Sequence, residues 1–127
     1  MSAFQKGYII FIIGGAGYML LEILWRGYTH ISMGILGGFC LLMILTVDKI
    51  MQGSPIYLKA IVCALGITAA EFITGVLLNM VLKLSVWDYS NMPFNVLGQI
   101  CPAFTVIWFV LSLIVLWISK ILLTISG

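Results

Sequence analysis

Two carboxylates in this sequence, Glu22 and Glu71, each lie within a long apolar run. A charged side chain at the centre of a bilayer costs about 2.5–3.5 kcal/mol on insertion scales, so such residues usually have a partner or mark a path for ions or substrate. Arg26 follows Glu22 by four residues, a spacing at which a guanidinium and a carboxylate can meet on a helix. These residues could therefore bind a proton, a cation or a small polar substrate.

A second group of polar and aromatic residues surrounds Glu71 and follows it in the chain. The polar or small residues of this stretch recur at spacings of three and four: Thr68, Glu71, Gly75 and Asn79. That spacing predicts one polar helical face. The segment 83–93, KLSVWDYSNMP, adds turn-forming residues and two aromatic rings suited to the headgroup region. The candidates for binding a substrate or ion, or for lining a polar cleft, are Glu22, Arg26, His30, Glu71, Thr74, Asn79, Trp87, Asp88, Tyr89, Ser90 and Asn95.

The composition excludes a soluble globular domain. Of the 127 residues, 63% are hydrophobic and 8% are charged, whereas soluble domains carry about 25% charged residues. A transmembrane helix takes about 20 apolar residues, so this length holds four spans and short loops. The net charge of +2 is too small to indicate nucleic-acid binding. The three cysteines lack the spacing of a metal site, so we expect neither a metal nor a cofactor.

Hydrophobic patterning predicts an all-α membrane protein with residues 1–127 as a single transmembrane domain. The predicted helices cover approximately residues 6–26, 32–48, 56–82 and 96–119. The first is a span rather than a signal peptide, because its apolar run contains no A-x-A cleavage site. Pro102 predicts either a kink in a continuous fourth helix, which we prefer, or a helix that starts there after a re-entrant or interfacial segment 94–101.

Small residues predict where helices approach one another closely. Gly34 and Gly38 are four positions apart, as are Gly66 and Ala70, and such pairs favour close helix packing. The candidates for helix packing are Gly34, Gly38, Gly66, Gly75 and Gly98.

Basic residues predict the orientation in the membrane. The predicted topology places Lys6, Lys49, Lys59 and Lys120 on one side, and Arg26 and Lys83 on the other. The positive-inside rule then places both termini in the cytoplasm. Each half of the chain has a carboxylate-bearing helix, a polar outer turn and a glycine-containing helix. This pattern predicts two helical hairpins in a parallel pseudo-repeat, in a multi-pass protein of a cell membrane, most simply a bacterial-type inner membrane.

Short motifs in both halves resemble one family of small membrane proteins. The first half contains Gly17-Tyr18, Glu22, Trp25-Arg26-Gly27, Thr29-His30, Ser32-Met33 and Gly37-Gly38. The second contains Glu71-Phe72, Thr74-Gly75, Trp87-Asp88-Tyr89-Ser90, Pro93-Phe94-Asn95, Gly98 and Ile100-Cys101. Together they resemble the family labelled putative ABC-transporter type IV, or CmpB-like, over most of the chain. The label implies a permease driven by a nucleotide-binding partner, but this chain has no P-loop, so we treat it as a name rather than a mechanism.

Three functions fit these features. The first is a small transporter or channel, a homo-oligomer or a complex with other membrane subunits, whose carboxylates line a polar cleft open to the outer side. The second is an accessory or structural subunit in which Glu–Arg pairs, such as Glu71 with Arg26, serve helix packing. The third is a lipid-headgroup enzyme with Glu22, His30, Glu71 and Asp88 as acid and base groups. We favour the first, with a small molecule or an ion as substrate, and predict no catalytic residue.

Overall fold

The computed structural model describes residues 2–126, with side chains as far as Ile121. Its helices are α1 (Ala3–Arg26), α2 (Ile31–Ile50), α3 (Ile56–Gly75) and α4 (Pro102–Ser126), and a π-helical segment (Val76–Val81) continues α3. Four stretches are long and apolar enough to cross a membrane: Ala3–Arg26, Ile31–Ile50, Ile56–Val81 and Pro102–Ile121. The predicted all-α class with four candidate spans is confirmed for this part of the chain.

The first of two compact units extends to Met43 and contains α1 and most of α2. α1 begins with a capping box, in which the Ser2 hydroxyl accepts a hydrogen bond from the Gln5 N–H at 3.1 Å and the Gln5 side chain accepts one from the Ser2 N–H at 2.9 Å. The helix ends at Gly27, whose φ of 82° is the left-handed conformation that commonly terminates helices.

Glycines allow α1 and α2 to approach closely within this unit. A Cβ atom on Gly15 would lie 2.6 Å from the carbonyl oxygen of Gly34, and one on Gly34 would lie 2.5 Å from the sulfur of Met19. A Cβ atom on Gly38 would lie 2.7 Å from the Phe11 carbonyl oxygen. The positions that the sequence marks for packing on α2 thus lie directly against α1.

Alanine at Gly15 should destabilise the protein by about 1–3 kcal/mol, because the new methyl group would collide with the backbone of α2. Gly17 is a matched control, since a Cβ atom there meets nothing within 4 Å. Gly17→Ala should be neutral or stabilising by up to about 1 kcal/mol through the higher helix propensity of alanine. Denaturant unfolding in detergent, followed by circular dichroism, compares the two. Equal effects of both substitutions would contradict close packing at Gly15.

The second unit begins at Ile44 and contains the end of α2, α3 with its π-helical segment, a long loop and α4. The buried residues of α3 and α4 recur at helical spacing: Ala60, Cys63, Ala64, Ile67 and Glu71 on α3, and Trp108, Ser112 and Leu116 on α4. The hydroxyl oxygens of Thr68 and Thr105 lie 2.9 Å apart and join the two helices by a hydrogen bond. Gly66, one of the two predicted packing residues of α3, is half-buried.

The fourth helix starts at Pro102, so the prediction of a continuous helix from residue 96 with a kink at Pro102 is wrong. Residues 82–101 form a loop, which we call the 82–101 loop. Phe94 and Leu97 have φ values of 57° and 54°, which a right-handed helix cannot contain. Proline is well suited to the first helical position because its missing N–H would have no intrahelical partner there.

Candidate functional site

Glu71 is almost completely buried near the C-terminal end of α3, with 1% of its surface exposed. The Tyr89 hydroxyl donates a hydrogen bond to its Oε2 at 3.0 Å, and the Trp108 indole Nε1–H donates a longer one to Oε1 at 3.4 Å. Each carboxylate oxygen therefore faces an uncharged aromatic donor. One of these donors belongs to the 82–101 loop and the other to α4.

The position of Tyr89 is fixed from two sides. Its ring stacks on that of Phe104 in α4, with centroids 4.6 Å apart and planes inclined by 12°. Its backbone N–H donates to the Gly98 carbonyl oxygen at 2.7 Å, within the loop. These two contacts hold the Tyr89 ring in place, so its hydroxyl stays next to Glu71.

Asn79, in the π-helical segment, connects α3 to both ends of the 82–101 loop. Its Oδ1 accepts hydrogen bonds from the backbone N–H groups of Val86 at 2.7 Å and Trp87 at 3.4 Å. Its Nδ2 donates to Oε1 of Gln99 at 2.8 Å. One side chain therefore holds the segment before Tyr89 and the segment that leads into α4.

Trp87 and Gln99 form the buried base of the loop, and each is 5% exposed. The indole Nε1–H of Trp87 donates to the Gln99 carbonyl oxygen at 3.0 Å, and the Gln99 amide donates to the Leu97 carbonyl oxygen at 2.9 Å. A Cβ atom on Gly75 would lie 2.6 Å from Gln99 Oε1 and 2.9 Å from Trp87 Cζ2. Glycine at this position lets the loop pack directly on α3, four residues after Glu71.

The outer part of the loop is shaped by its own polar residues. Asp88 Oδ1 accepts from the Ser90 N–H at 2.9 Å, and Asn95 Oδ1 accepts from the Gly98 N–H at 3.0 Å. Asn95 also donates to the carbonyl oxygens of Ser90 at 3.2 Å and Met92 at 2.9 Å. Gly98 has a φ of 72°, and a Cβ atom there would lie 2.9 Å from Asp88 Oδ1. These candidates thus determine the loop conformation that delivers Tyr89 to Glu71.

The π-helical segment changes where α3 presents its side chains. The Leu82 N–H donates to the Leu77 carbonyl oxygen at 3.0 Å, the i to i+5 bond of a wide turn. Single wide turns of this kind are rare and occur frequently at functional sites. Glu71, Gly75 and Asn79 are four residues apart, slightly more than the 3.6 residues of an α-helical turn, so a wider turn keeps Asn79 closer to the face of the other two.

The candidates in the first unit form a separate polar group. Glu22 is 9% exposed, and its Oε2 lies 2.6 Å from Nε of Arg26 in an ion pair. The Arg26 guanidinium also lies 4.7 Å from the centroid of the Tyr28 ring. His30 is exposed and caps α2, because its Nδ1 accepts a hydrogen bond from the Ser32 N–H at 3.1 Å.

Sequence reasoning identified part of this site and missed the rest. The structure joins Glu71 directly to Tyr89, and Asn79 directly to Trp87, while Thr74 lies half-buried on α3. A cleft shared by both carboxylates, and an ion pair between Glu71 and Arg26, stay predictions.

The main residues that the sequence did not single out are Gln99, Phe104 and Trp108. Gln99 had a signal, an amide side chain in a mostly apolar stretch, whereas the two aromatic residues of α4 read as ordinary lipid-facing or core positions. Among the residues that the structure describes, no three His, Cys, Asp or Glu side chains lie close enough together to hold a metal ion.

Comparison with known families finds one whose model matches this sequence. The sequence model of the family described as "Putative ABC-transporter type IV" matches residues 9–126. The resemblance predicted from the sequence is therefore confirmed. Neither a curated protein nor a solved structure matches the chain.

Proposed function

The chain belongs to the putative ABC-transporter type IV family. We propose that it is a small membrane transporter or channel in which Glu71 binds the transported ion or a coupled proton. The burial of Glu71 carries the proposal. A carboxylate inside a candidate span, 1% exposed and contacted by uncharged donors, is the kind of group that binds and releases a cation or proton along a membrane path. The family label itself contributes only the expectation of a membrane protein with a transport role.

The 82–101 loop supplies a means of opening the site. It contains four non-glycine residues with positive φ, Lys83, Ser85, Phe94 and Leu97. Each such residue costs about 1–2 kcal/mol relative to ordinary backbone, so the covering conformation is held by its hydrogen bonds against local strain. Movement of the loop would withdraw the Tyr89 hydroxyl and expose Glu71. A strained cover over a buried carboxylate suits a protein that alternates between a closed and an open state.

Orientation and assembly complete the proposal. With both termini in the cytoplasm, as the distribution of basic residues predicts, the 82–101 loop lies on the outer side of a cell membrane. Glu22 with Arg26 would form the corresponding polar group of the other hairpin in a parallel pseudo-repeat. Four spans are few for a complete path across the membrane, so a homo-oligomer or other membrane subunits would complete it.

Ion flux into liposomes that contain the purified protein and a pH-sensitive dye tests this function. Under an imposed proton or monovalent-cation gradient, we expect a faster ion flux into vesicles that contain the unaltered protein than into protein-free vesicles. Glu71→Gln should reduce the flux to the protein-free rate, because an amide neither takes up nor releases a proton near neutral pH and attracts cations only weakly. Tyr89→Phe should change the rate by removing the hydroxyl over Glu71.

Tyr57→Phe serves as the matched control, since Tyr57 lies exposed on α3 and should leave the flux unaltered. Flux that is the same in Glu71→Gln and in the unaltered protein would contradict a role for this carboxylate.

An accessory or structural subunit is the second candidate, and the Glu22–Arg26 pair favours it. The two charges lie 2.6 Å apart and offset each other, so this part of the chain needs no substrate to explain its polar residues. If neither the unaltered protein nor Glu71→Gln shows ion flux above the protein-free rate, the result would favour this function. The enzyme hypothesis has less support, because the Nδ1 atom of His30 is engaged in capping α2.

A further inference from the structure

A cavity of about 450 Å³ lies in the second unit, between the turn that joins α2 to α3 and the C-terminal half of α4. Its charged lining residues are Asp48, Lys59 and Lys120. Two lysines and one aspartate give this lining a net charge of +1. A cavity of this size falls within the range of about 300–1,000 Å³ that is typical of small-molecule sites. It lies outside the Glu71 site and shares no residue with it.

Lys59 is held in a defined position in this cavity. Its Nζ donates to Asp48 Oδ1 at 2.7 Å, and only 14% of the Lys59 side chain is exposed. An ammonium group has three N–H donors, so the bond to Asp48 fixes its direction and leaves donors that can face the cavity. Lys120 contributes the second positive charge from α4. The arrangement suits an anion that accepts several hydrogen bonds, such as a phosphate.

The depth of the cavity along the candidate spans indicates where such a phosphate would come from. α2 ends at Ile50 and α3 begins at Ile56, and the cavity lining includes residues on both sides of the turn between them. The cavity therefore lies at the helix ends, where lipid headgroups meet a membrane protein. Leu116 and Ile56 provide an apolar wall beside the charged groups. A ligand with a phosphate and attached hydrocarbon matches both kinds of lining.

We propose that this cavity binds the phosphate of an anionic phospholipid, with Lys59 and Lys120 as its ligands and Asp48 as the residue that positions Lys59. Basic pockets between transmembrane helices are known to accept anionic lipid headgroups. The net positive lining disfavours a cation in the same place. The site would tie the α2–α3 turn to α4 through a lipid, and the proposal stands whether or not Glu71 takes part in transport.

Binding of phosphatidylglycerol to the delipidated full-length protein, measured by native mass spectrometry, tests the proposal. Phosphatidylcholine with the same acyl chains is the comparison lipid. We expect one phosphatidylglycerol to bind preferentially, and Lys120→Gln to weaken this binding about fivefold, the usual contribution of one surface lysine to anionic-lipid binding. The double variant Asp48→Asn with Lys59→Gln removes the second lysine without leaving Asp48 unpaired and keeps the net charge of the lining at +1, so it should weaken binding less than Lys120→Gln does, through the lost hydrogen bonds of Lys59.

Lys49→Gln is the matched control, because Lys49 lies next to Asp48 in the sequence but does not line the cavity, and it should bind phosphatidylglycerol as the unaltered protein does. Each variant is first checked for an unchanged elution volume and helical content, which separates lost binding from lost folding.

Equal binding of the two lipids by the unaltered protein, or equal loss in Lys49→Gln and Lys120→Gln, would overturn the proposal. Inorganic phosphate is added in a separate series. If it displaces phosphatidylglycerol and itself raises the melting temperature through Lys120, the site belongs to a soluble phosphate compound and the lipid assignment is wrong.

Discussion

Replacing Asn79 with alanine should detach the 82–101 loop while the four helices remain formed. The substitution removes the acceptor of the Val86 and Trp87 N–H groups and the donor to Gln99. Leaving a part-buried polar group without its partner costs about 1–3 kcal/mol, so three such losses should cost about 3 kcal/mol or more locally. Amide hydrogen exchange at Val86 and Trp87, followed by mass spectrometry, should accelerate about a hundredfold, since each 1.4 kcal/mol corresponds to a factor of ten.

Asn91 provides the control for this experiment. It is an exposed asparagine of the same loop, and its replacement by alanine should leave the exchange of Val86 and Trp87 unaltered. If Asn79→Ala left these amides as protected as they are in the unaltered protein, the loop would be held by other contacts. The role assigned to Asn79 would then be wrong.

Replacing Glu71 with alanine should be among the most destabilising single changes in the chain, and replacing it with glutamine should be mild. Alanine removes the hydrogen bonds that the Tyr89 hydroxyl and the Trp108 indole N–H donate to Glu71, at about 1–3 kcal/mol each, and creates a cavity between α3 and α4. Glutamine keeps the shape and one carbonyl oxygen, so most of the packing and one hydrogen bond survive. Unfolding by denaturant in detergent measures both.

A double-substitution cycle isolates the contact with Tyr89. Tyr89→Phe in the unaltered protein removes one hydrogen bond, typically about 0.5–1.5 kcal/mol. In Glu71→Ala the same change should cost less, because the hydroxyl has already lost this acceptor. Additive effects would contradict a direct bond between the two side chains. If unfolding shows that Glu71→Gln is only mildly destabilised, loss of ion flux in that variant reports on chemistry and not on folding.

The features that depend on composition and period were predictable from the sequence. Apolar runs of sufficient length predicted four candidate spans, and the spacing of Glu71, Gly75 and Asn79 predicted one polar face, because both depend on local patterns. The start of α4 was not predictable in the same way. Residues 94–101 are mostly apolar and read as helix, but Asn95 accepts a hydrogen bond from the Gly98 N–H and Gln99 accepts one from Asn79, 20 residues away, and these bonds hold the segment in another conformation.

The partners of Glu71 show a second limit of sequence reasoning. Tyr89 lies 18 residues from Glu71 and Trp108 lies 37 residues away. Their convergence depends on how the 82–101 loop returns to α3 and on how α3 packs against α4. A tryptophan in an apolar helix has no feature that distinguishes a hydrogen-bond donor from a lipid-facing anchor. The sequence could therefore indicate the carboxylate but not the groups that complete its environment.

The wide turn at Val76–Val81 makes the number of residues in α3 a property of the site. Deleting one residue from this segment would allow it to rewind as an α-helix with the residues beyond it on nearly the same face, whereas deleting one from the regular α-helix just before it would rotate them by about 100°. Only the deletion in the regular α-helix would turn Asn79 away from the loop that it holds, although no side chain of the site had been altered. Relatives that lack one residue within Val76–Val81 should therefore keep the same loop contacts, whereas a gap between Glu71 and Gly75 should accompany different ones.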